Sequence, residues 1–213
     1  MKKVILLGGG GHAKCVICAM RLAGKYSPHC VLDLEERSGE KVVGVAITGS
    51  DADLPVYYRR GVKLCFVAVG STGDPARRIA LWGLAVKAGF EFPNIIHPSA
   101  MVSAHVEIGR GVYIGPGAII NAGAVVGCGC IINSGAIVEH DCRIGKFAHI
   151  APGAVLSGGV TVGDRAHLGT GCCVTHGAKI GADSIIGAGS VVVKDIPARV
   201  VCVGNPAKKI KSR

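Results

Sequence analysis

The sequence predicts an α/β unit over residues 1–95, a parallel β-helix over 96–196 and a short basic tail over 197–213. Three observations predict it. A buried-strand pattern runs directly into a glycine loop; a helical pattern follows that loop; and from Val102 onward an aliphatic residue recurs every six positions without an insertion.

In the first unit, Lys3–Leu7 reads as a buried strand. Gly8, Gly10 and Ala13 fit the pattern GxGxxA, and a helix is expected from about His12 to Ala23, stopped by Gly24. Such a loop lets backbone N–H groups and a helix N-terminus approach a phosphate. A second strand is expected to end at Asp33, 25 residues after Gly8, where a carboxylate can meet a ribose or sugar hydroxyl. A third, "KLCFVAVGST", ends at Gly70 and Ser71. A second long helix follows, with Asp74 expected at its cap, Pro75 in its first turn and Gly89 past its end. This is a Rossmann-like βα unit of about half the size of a full dinucleotide-binding fold, so a nucleotide sugar suits it better than a hydride-transferring nicotinamide cofactor.

The stretch "NIIHPSAMVS" hands the chain to the second unit, with the boundary expected near Asn94 to Pro98. Sixteen hexads open with Val102, Ile108, Ile114, Ile120, Val126, Ile132, Val138, Ile144, Ile150, Leu156, Val162, Leu168, Val174, Ile180, Ile186 and Val192. Four residues after each opener stands a small or compact residue, Ala118, Ala136 and Ala154 among them. A period of six fits neither helix nor simple alternating strand, but it fits a short strand and turn repeated around a three-faced prism of 18 residues per coil. Sixteen hexads give about five coils, with openers and small residues inward and coils stacked at roughly 4.8 Å. Cys130, Cys142 and Cys172 fall on the small inward positions and read as core filling.

Composition agrees. Aromatics are 4% of 213 residues while glycine numbers 33, so the core must pack small and branched side chains. No apolar run reaches membrane-spanning length and the N-terminus lacks the stretch of a signal peptide, from which a cytoplasmic location with reduced cysteines is expected. Cys15 and Cys18 form a lone CxxC in the first helix, for which packing is expected rather than metal or redox chemistry. The net charge of +10 lacks the interleaved aromatics of a single-strand binder and points to a phosphorylated small molecule, with no nucleic-acid or membrane partner.

The densest candidate chemistry is "IVEHDCRIGKFAHI", residues 137–150. His140 falls at a turn corner between Glu139 and Asp141, and His149 points outward from a face; neither is expected to be buried in the prism. His167 follows His149 by one coil, so the two should stack within about 5 Å. A carboxylate on one imidazole nitrogen fixes the tautomer and makes the other a better base, which suits His140 as general base. No His-x4-His pair occurs, and His140, His149, His167 and His176 are spaced 9, 18 and 9, which argues against zinc.

The succession "GGGGHAK", "VAVGS", "NIIHPSAMVS", "INSGAIVEHDCRIGKFAHIAPGA" and "VGNPAKKI" resembles the sialic acid O-acetyltransferase and UDP-amino-sugar N-acetyltransferase family of hexapeptide-repeat enzymes. That resemblance implies a left-handed β-helix, acetyl-CoA as co-substrate, no metal, and a homotrimer with active sites between subunits. It implies His140 as base, Asp141 rather than Glu139 as its orienting carboxylate, and Asn133 and His149 as further active-site groups. It assigns the nucleotide sugar to Gly8, Gly10, Gly11, His12, Asp33, Gly70 and Ser71, and the coenzyme to Gly158, Thr170, Ala188 and Lys208. N-acetylation of a UDP-4-amino sugar is favoured. Alternatives are O-acetylation of sialic acid or a related sugar, a zinc-dependent β-helix hydratase, and a non-catalytic sugar-nucleotide-binding protein. "LDLEER" departs from the "LDD" segment of some relatives, which bears on sugar identity.

Overall fold

The computed structural model describes residues 1–213 and divides into two units, Met1–Ser71 with Pro75–Pro98 and Thr72–Asp74 with Ser99–Arg213. In the first, β1 (Lys2–Leu7) buries Val4 to Leu7 completely because strands flank it on both edges and it has no solvated face. Gly8 ends it with φ 99°, a conformation that glycine adopts without steric cost. The helix α1 (Gly11–Ala23) then buries Ala13, Val16, Ile17, Ala19 and Met20 and stops at Gly24, φ 66°, whose N–H returns to the Met20 carbonyl. Cys15 and Cys18 are exposed free thiols, contrary to the packing role expected of them, since the helical period turns both to the side opposite that buried stripe.

Next come β2 (Tyr26–Leu32), a short hairpin of β3 (Lys41–Val42) and β4 (Val45–Ala46), a two-turn helix α2 (Leu54–Arg59), β5 (Leu64–Val67) and α3 (Ala76–Lys87). The sheet is parallel in the order β2-β1-β5, so the ends that follow Leu7, Leu32 and Val67 lie along one edge. The core beneath is Ile5, Leu7, Leu32, Leu54, Phe90 and Phe92, with the Trp82 ring stacked on Phe92 at 3.6 Å. Asp74 does not cap α3. Pro75 holds the cap position at φ −88°, ψ 8°, no side chain caps the helix, and the Asp74 carboxylate lies 3.5 Å from Arg213 instead.

The second unit is a left-handed parallel β-solenoid of about six turns. Two-residue strands begin every sixth residue from Met101–Val102 to Val191–Val192, and those up to Cys173–Val174 pair in parallel with the strand 18 residues on, as Ile119–Ile120 does with Ile137–Val138. Openers from Ile114 to Val192 are buried, and Ala118, Ala124, Ala136, Ala148 and Ala154 have no exposed surface. A large side chain at both inward positions would exceed the space within a three-sided coil, which is why they alternate large and small. Burial pushes the Cys172 thiol up to about 12, as expected of an unreactive core filler.

The winding exceeds the five coils counted from hexads because the chain continues past Val192. Ile196 bridges Ile180; Val200–Val203 pairs in parallel with Ile185–Ile186; and Lys208–Ser212 returns antiparallel beside it. Residues 197–213 are therefore ordered against the last turn, with Lys208–Ser212 exposed along its length.

Candidate active site

Most corners of the solenoid turn on a residue with left-handed φ, three positions after the opener. Glycine fills most of these places, Gly135 at 64° and Gly153 at 66° for example. At 141 the residue is aspartate, φ 60°. A side chain there costs roughly 1 kcal/mol relative to glycine, and a residue kept at such a cost is a candidate for function. Arg165 and Asp183 hold two other left-handed corners and secure each other by hydrogen bonds of 2.7 and 2.8 Å.

Asp141 uses that corner to reach its neighbour. His140 Nδ1–H donates to Asp141 Oδ2 at 2.8 Å, while Glu139 turns away and accepts from Asn121 Nδ2 at 2.8 Å. Both side chains of the His140–Asp141 pair are more than half exposed, so the pair adds little to stability. Its consequence is orientation: with the proton fixed on Nδ1, Nε2 is left as an acceptor lying over Gly158 of the next coil. The His176 ring, two coils further along the same corner, has its centroid 6.4 Å from that of His140.

Asn133 and His149 form a separate pair. Ser134 N–H donates to Asn133 Oδ1 at 2.8 Å, which fixes the amide so that Nδ2 donates to His149 Nε2 at 3.1 Å. His149 is not buried within the prism, as expected, yet its ring is only 8% exposed. It does stand outward on its face, but the outward residues of the adjoining strands, Ile131 and His167, flank it, and Asn133 closes on its tip. His149 and His167 meet edge to face at 4.9 Å, the stacking expected of residues one coil apart. His167 Nδ1 is buried without a hydrogen-bond partner, and burial, with a smaller contribution from Arg213, holds its pKa below the usual 6.5.

That shift has a sign. The unfolded chain protonates this imidazole near 6.5 whereas the folded chain resists, so His167 costs the fold stability as pH falls below about 6.5. The melting temperature is expected to drop between pH 7.5 and 5.5, and His167→Gln to shrink that drop. An equal drop in both proteins would remove His167 as the cause.

In the first unit the structure gathers the residues expected around a phosphate. Gly8, Gly10, Gly11 and His12 follow β1; Asp33 follows β2; Gly70 lies against His12 and, with Ser71, follows β5. Ligands in open parallel α/β sheets bind beyond this carboxyl edge. Asp33 is not free for a ligand hydroxyl alone, since its Oδ2 accepts the Gly9 N–H at 2.9 Å and also contacts Arg37 Nη1. Arg37, absent from the expected set, additionally holds Glu40 by hydrogen bonds of 3.0 and 2.8 Å. Its only sequence signal is the four-residue spacing from Asp33. Arg78, 4% exposed, donates to Ser71 Oγ at 3.3 Å and was likewise unmarked.

The expected coenzyme residues do not share one corner. Gly158 lies over His140, whereas Thr170 and Ala188 are stacked one coil apart at another corner, and Lys208 is exposed on the final strand. No three metal-ligating side chains converge in the chain, and no helix is long and apolar enough to cross a membrane.

A repeat-built solenoid with a carboxylate-oriented imidazole at a corner defines an acyltransferase of the hexapeptide-repeat class. Comparison with known proteins agrees: the bacterial transferase hexapeptide (six repeats) family matches residues 123–158 and 159–194, and the PglD N-terminal domain matches residues 3–79. No match was found among the curated proteins. Among solved structures, a histidine-to-asparagine variant of perosamine N-acetyltransferase from Caulobacter crescentus, in complex with CoA and GDP-perosamine, is 43% identical with TM-score 0.94, covering 100% of this chain and 98% of that one. The acetyltransferase domain of PglB from Neisseria gonorrhoeae FA1090 with acetyl coenzyme A is 35% identical with TM-score 0.90, covering 98% and 99%. WeeI from Acinetobacter baumannii AYE is 26% identical with TM-score 0.86, covering 99% and 100%. The chain belongs to the family of sialic acid O-acetyltransferases and nucleotide-amino-sugar N-acetyltransferases.

Proposed function

We propose that this protein transfers the acetyl group of acetyl-CoA to the amine of a nucleotide-linked amino sugar, with His140 as general base. The observation that carries the reading is the 2.8 Å bond from His140 Nδ1 to Asp141, which leaves Nε2 to accept a proton. The amine attacks the thioester carbonyl as its N–H proton passes to Nε2. Collapse of the tetrahedral intermediate breaks the C–S bond, and the leaving thiolate recovers the proton. A backbone N–H at the corner stabilises the oxyanion. Neither a metal nor a covalent enzyme intermediate is required.

The glycine loop of Gly8 to His12, Asp33, Gly70 and Ser71 holds the nucleotide end of the acceptor. Relatives in complex with GDP-perosamine and with acetyl coenzyme A support both substrates. The proposal covers GDP-linked as well as UDP-linked amino sugars.

A homotrimer with the active site between copies completes the reading. One solenoid face carries Met101, Ile119, Ile137, Val155, Cys173 and Val191 outward in an unbroken apolar column, with Met101 58% exposed, while the face carrying Glu107, Arg143, Thr161 and Lys179 is mostly polar. Exposed apolar columns of this kind mark association surfaces. This one runs into the corner that bears His140, so a second copy docked on it brings its own Thr170 and Ala188, or Lys208, to the coenzyme. Asn133 and His149 lie on the face that leads to the Thr170 and Ala188 corner, so the docked copy would supply them as polar groups beside the thioester.

The test is incubation with acetyl-CoA and GDP-, UDP- and CMP-linked sugars, following thiol release and the acetylated product, with light scattering for mass. Thiol release is expected with an amino sugar, at three times the 21.7 kDa chain mass. Turnover of hydroxyl acceptors alone would overturn N-acetylation; no turnover with any acceptor would favour a binding protein.

A further inference from the structure

The corner column that contains His140 reads Ala104, Ala122, His140, Gly158, His176 and Lys194 at intervals of 18. Gly158 is the only glycine in it. Apart from Gly187, where a Cβ would meet the Val203 side chain, the other glycines of these coils answer two needs. Gly159, Gly171 and Gly177 hold left-handed φ of 66 to 70°, and Gly109, Gly115 and Gly127 lie where an added Cβ would strike the backbone of the next coil at 2.7 to 2.8 Å. Gly158 answers neither. It is not among the residues of positive φ, and the atoms a Cβ there would meet are Nε2, Cε1 and Cδ2 of His140, at 2.5, 2.6 and 3.1 Å.

Real Cβ contacts do not fall at such distances, so a side chain at 158 and the present position of the imidazole exclude one another. The ring, with its side chain 57% exposed, is free to yield by rotating about χ1. Rotation would carry Nδ1 off Asp141 Oδ2 and move Nε2 away from the floor of the corner. We infer that Gly158 is a positioning residue for the general base: its missing side chain is the seat that lets the Nε2 edge of the His140 ring rest on the corner while Nδ1 remains bonded to Asp141. This inference rests on His140 being the base. It assigns to Gly158 a function distinct from any coenzyme contact through its backbone, because a backbone contact would survive the addition of a methyl group that leaves φ unchanged.

The experiment is the cycle of Gly158→Ala, His140→Ala and the double variant, read as kcat, KM for acetyl-CoA and melting temperature. If the ring yields, Gly158→Ala is expected to lower kcat at least 30-fold with KM changed less than threefold and the melting temperature unchanged, and the double variant to match His140→Ala within threefold, the non-additivity expected when one residue acts through another. If the ring does not yield, Gly158→Ala lowers the melting temperature instead, and His140→Ala restores it in the double variant by vacating the space. Either coupling supports the inference. It is overturned if Gly158→Ala leaves both kcat and melting temperature at wild-type values, or if its loss appears in full on the His140→Ala background. Failure of His140→Ala itself to lower kcat would instead overturn the assignment of the base.

Discussion

Replacing His140 by alanine is expected to lower kcat by about 10² to 10⁴-fold, the usual worth of a positioned general base. The melting temperature should not fall, because the ring contributes an exposed side chain and one exposed hydrogen bond to the fold. Steady-state rates of thiol release from acetyl-CoA, with and without the sugar nucleotide, measure this directly. The position within the range carries information. An amine already neutral at the working pH asks little of a base, whereas a hydroxyl must lose its proton as it attacks, so a loss near the low end fits N-acetylation. Turnover within a few-fold of wild type would remove His140 from the reaction, and with it the interpretation of the Asp141 corner.

The largest effect on stability is expected from Leu156→Ala. Leu156 has no exposed surface and stands between Val138 and Val174 on adjacent coils, with the close-packed interior of the prism in front of it. Truncating a buried leucine removes its transfer free energy and leaves a cavity that flanking coils cannot close, for a loss of about 2–5 kcal/mol. At roughly 2–4 °C per kcal/mol for a chain of this size, the melting temperature should fall by roughly 5–20 °C in a calorimetric scan. Activity should fall with it near the midpoint, since Leu156 and Val138 each lie two residues before the corner positions Gly158 and His140. A fall under about 2 °C would mean that the interior is not packed tightly at this position.

The two units differ in how much their sequences disclosed. In the solenoid, an aliphatic residue every six positions has one geometric solution, so strand positions, inward residues and the one-coil stacking of His149 on His167 follow from counting. In the α/β unit, the expected strand and helix positions are met closely around Gly8 and Gly24, where backbone conformation demands glycine, and less well at Asp74, where a distant arginine competes for the carboxylate. The roles of Arg37 and Arg78 are not legible in the sequence, because a charged residue there gives no sign of whether its partner is protein or water.

The sequence by itself determined the winding, the interior and the corner at which His140 stands, because each depends on short-range periodicity and on which side chains tolerate burial. Tertiary structure decided which carboxylate orients the imidazole, that His149 is covered, and what lies under the ring. Those outcomes depend on residues 16 to 18 positions apart meeting across stacked coils, where tenths of an ångström and the direction of a single side chain separate a partner from a neighbour.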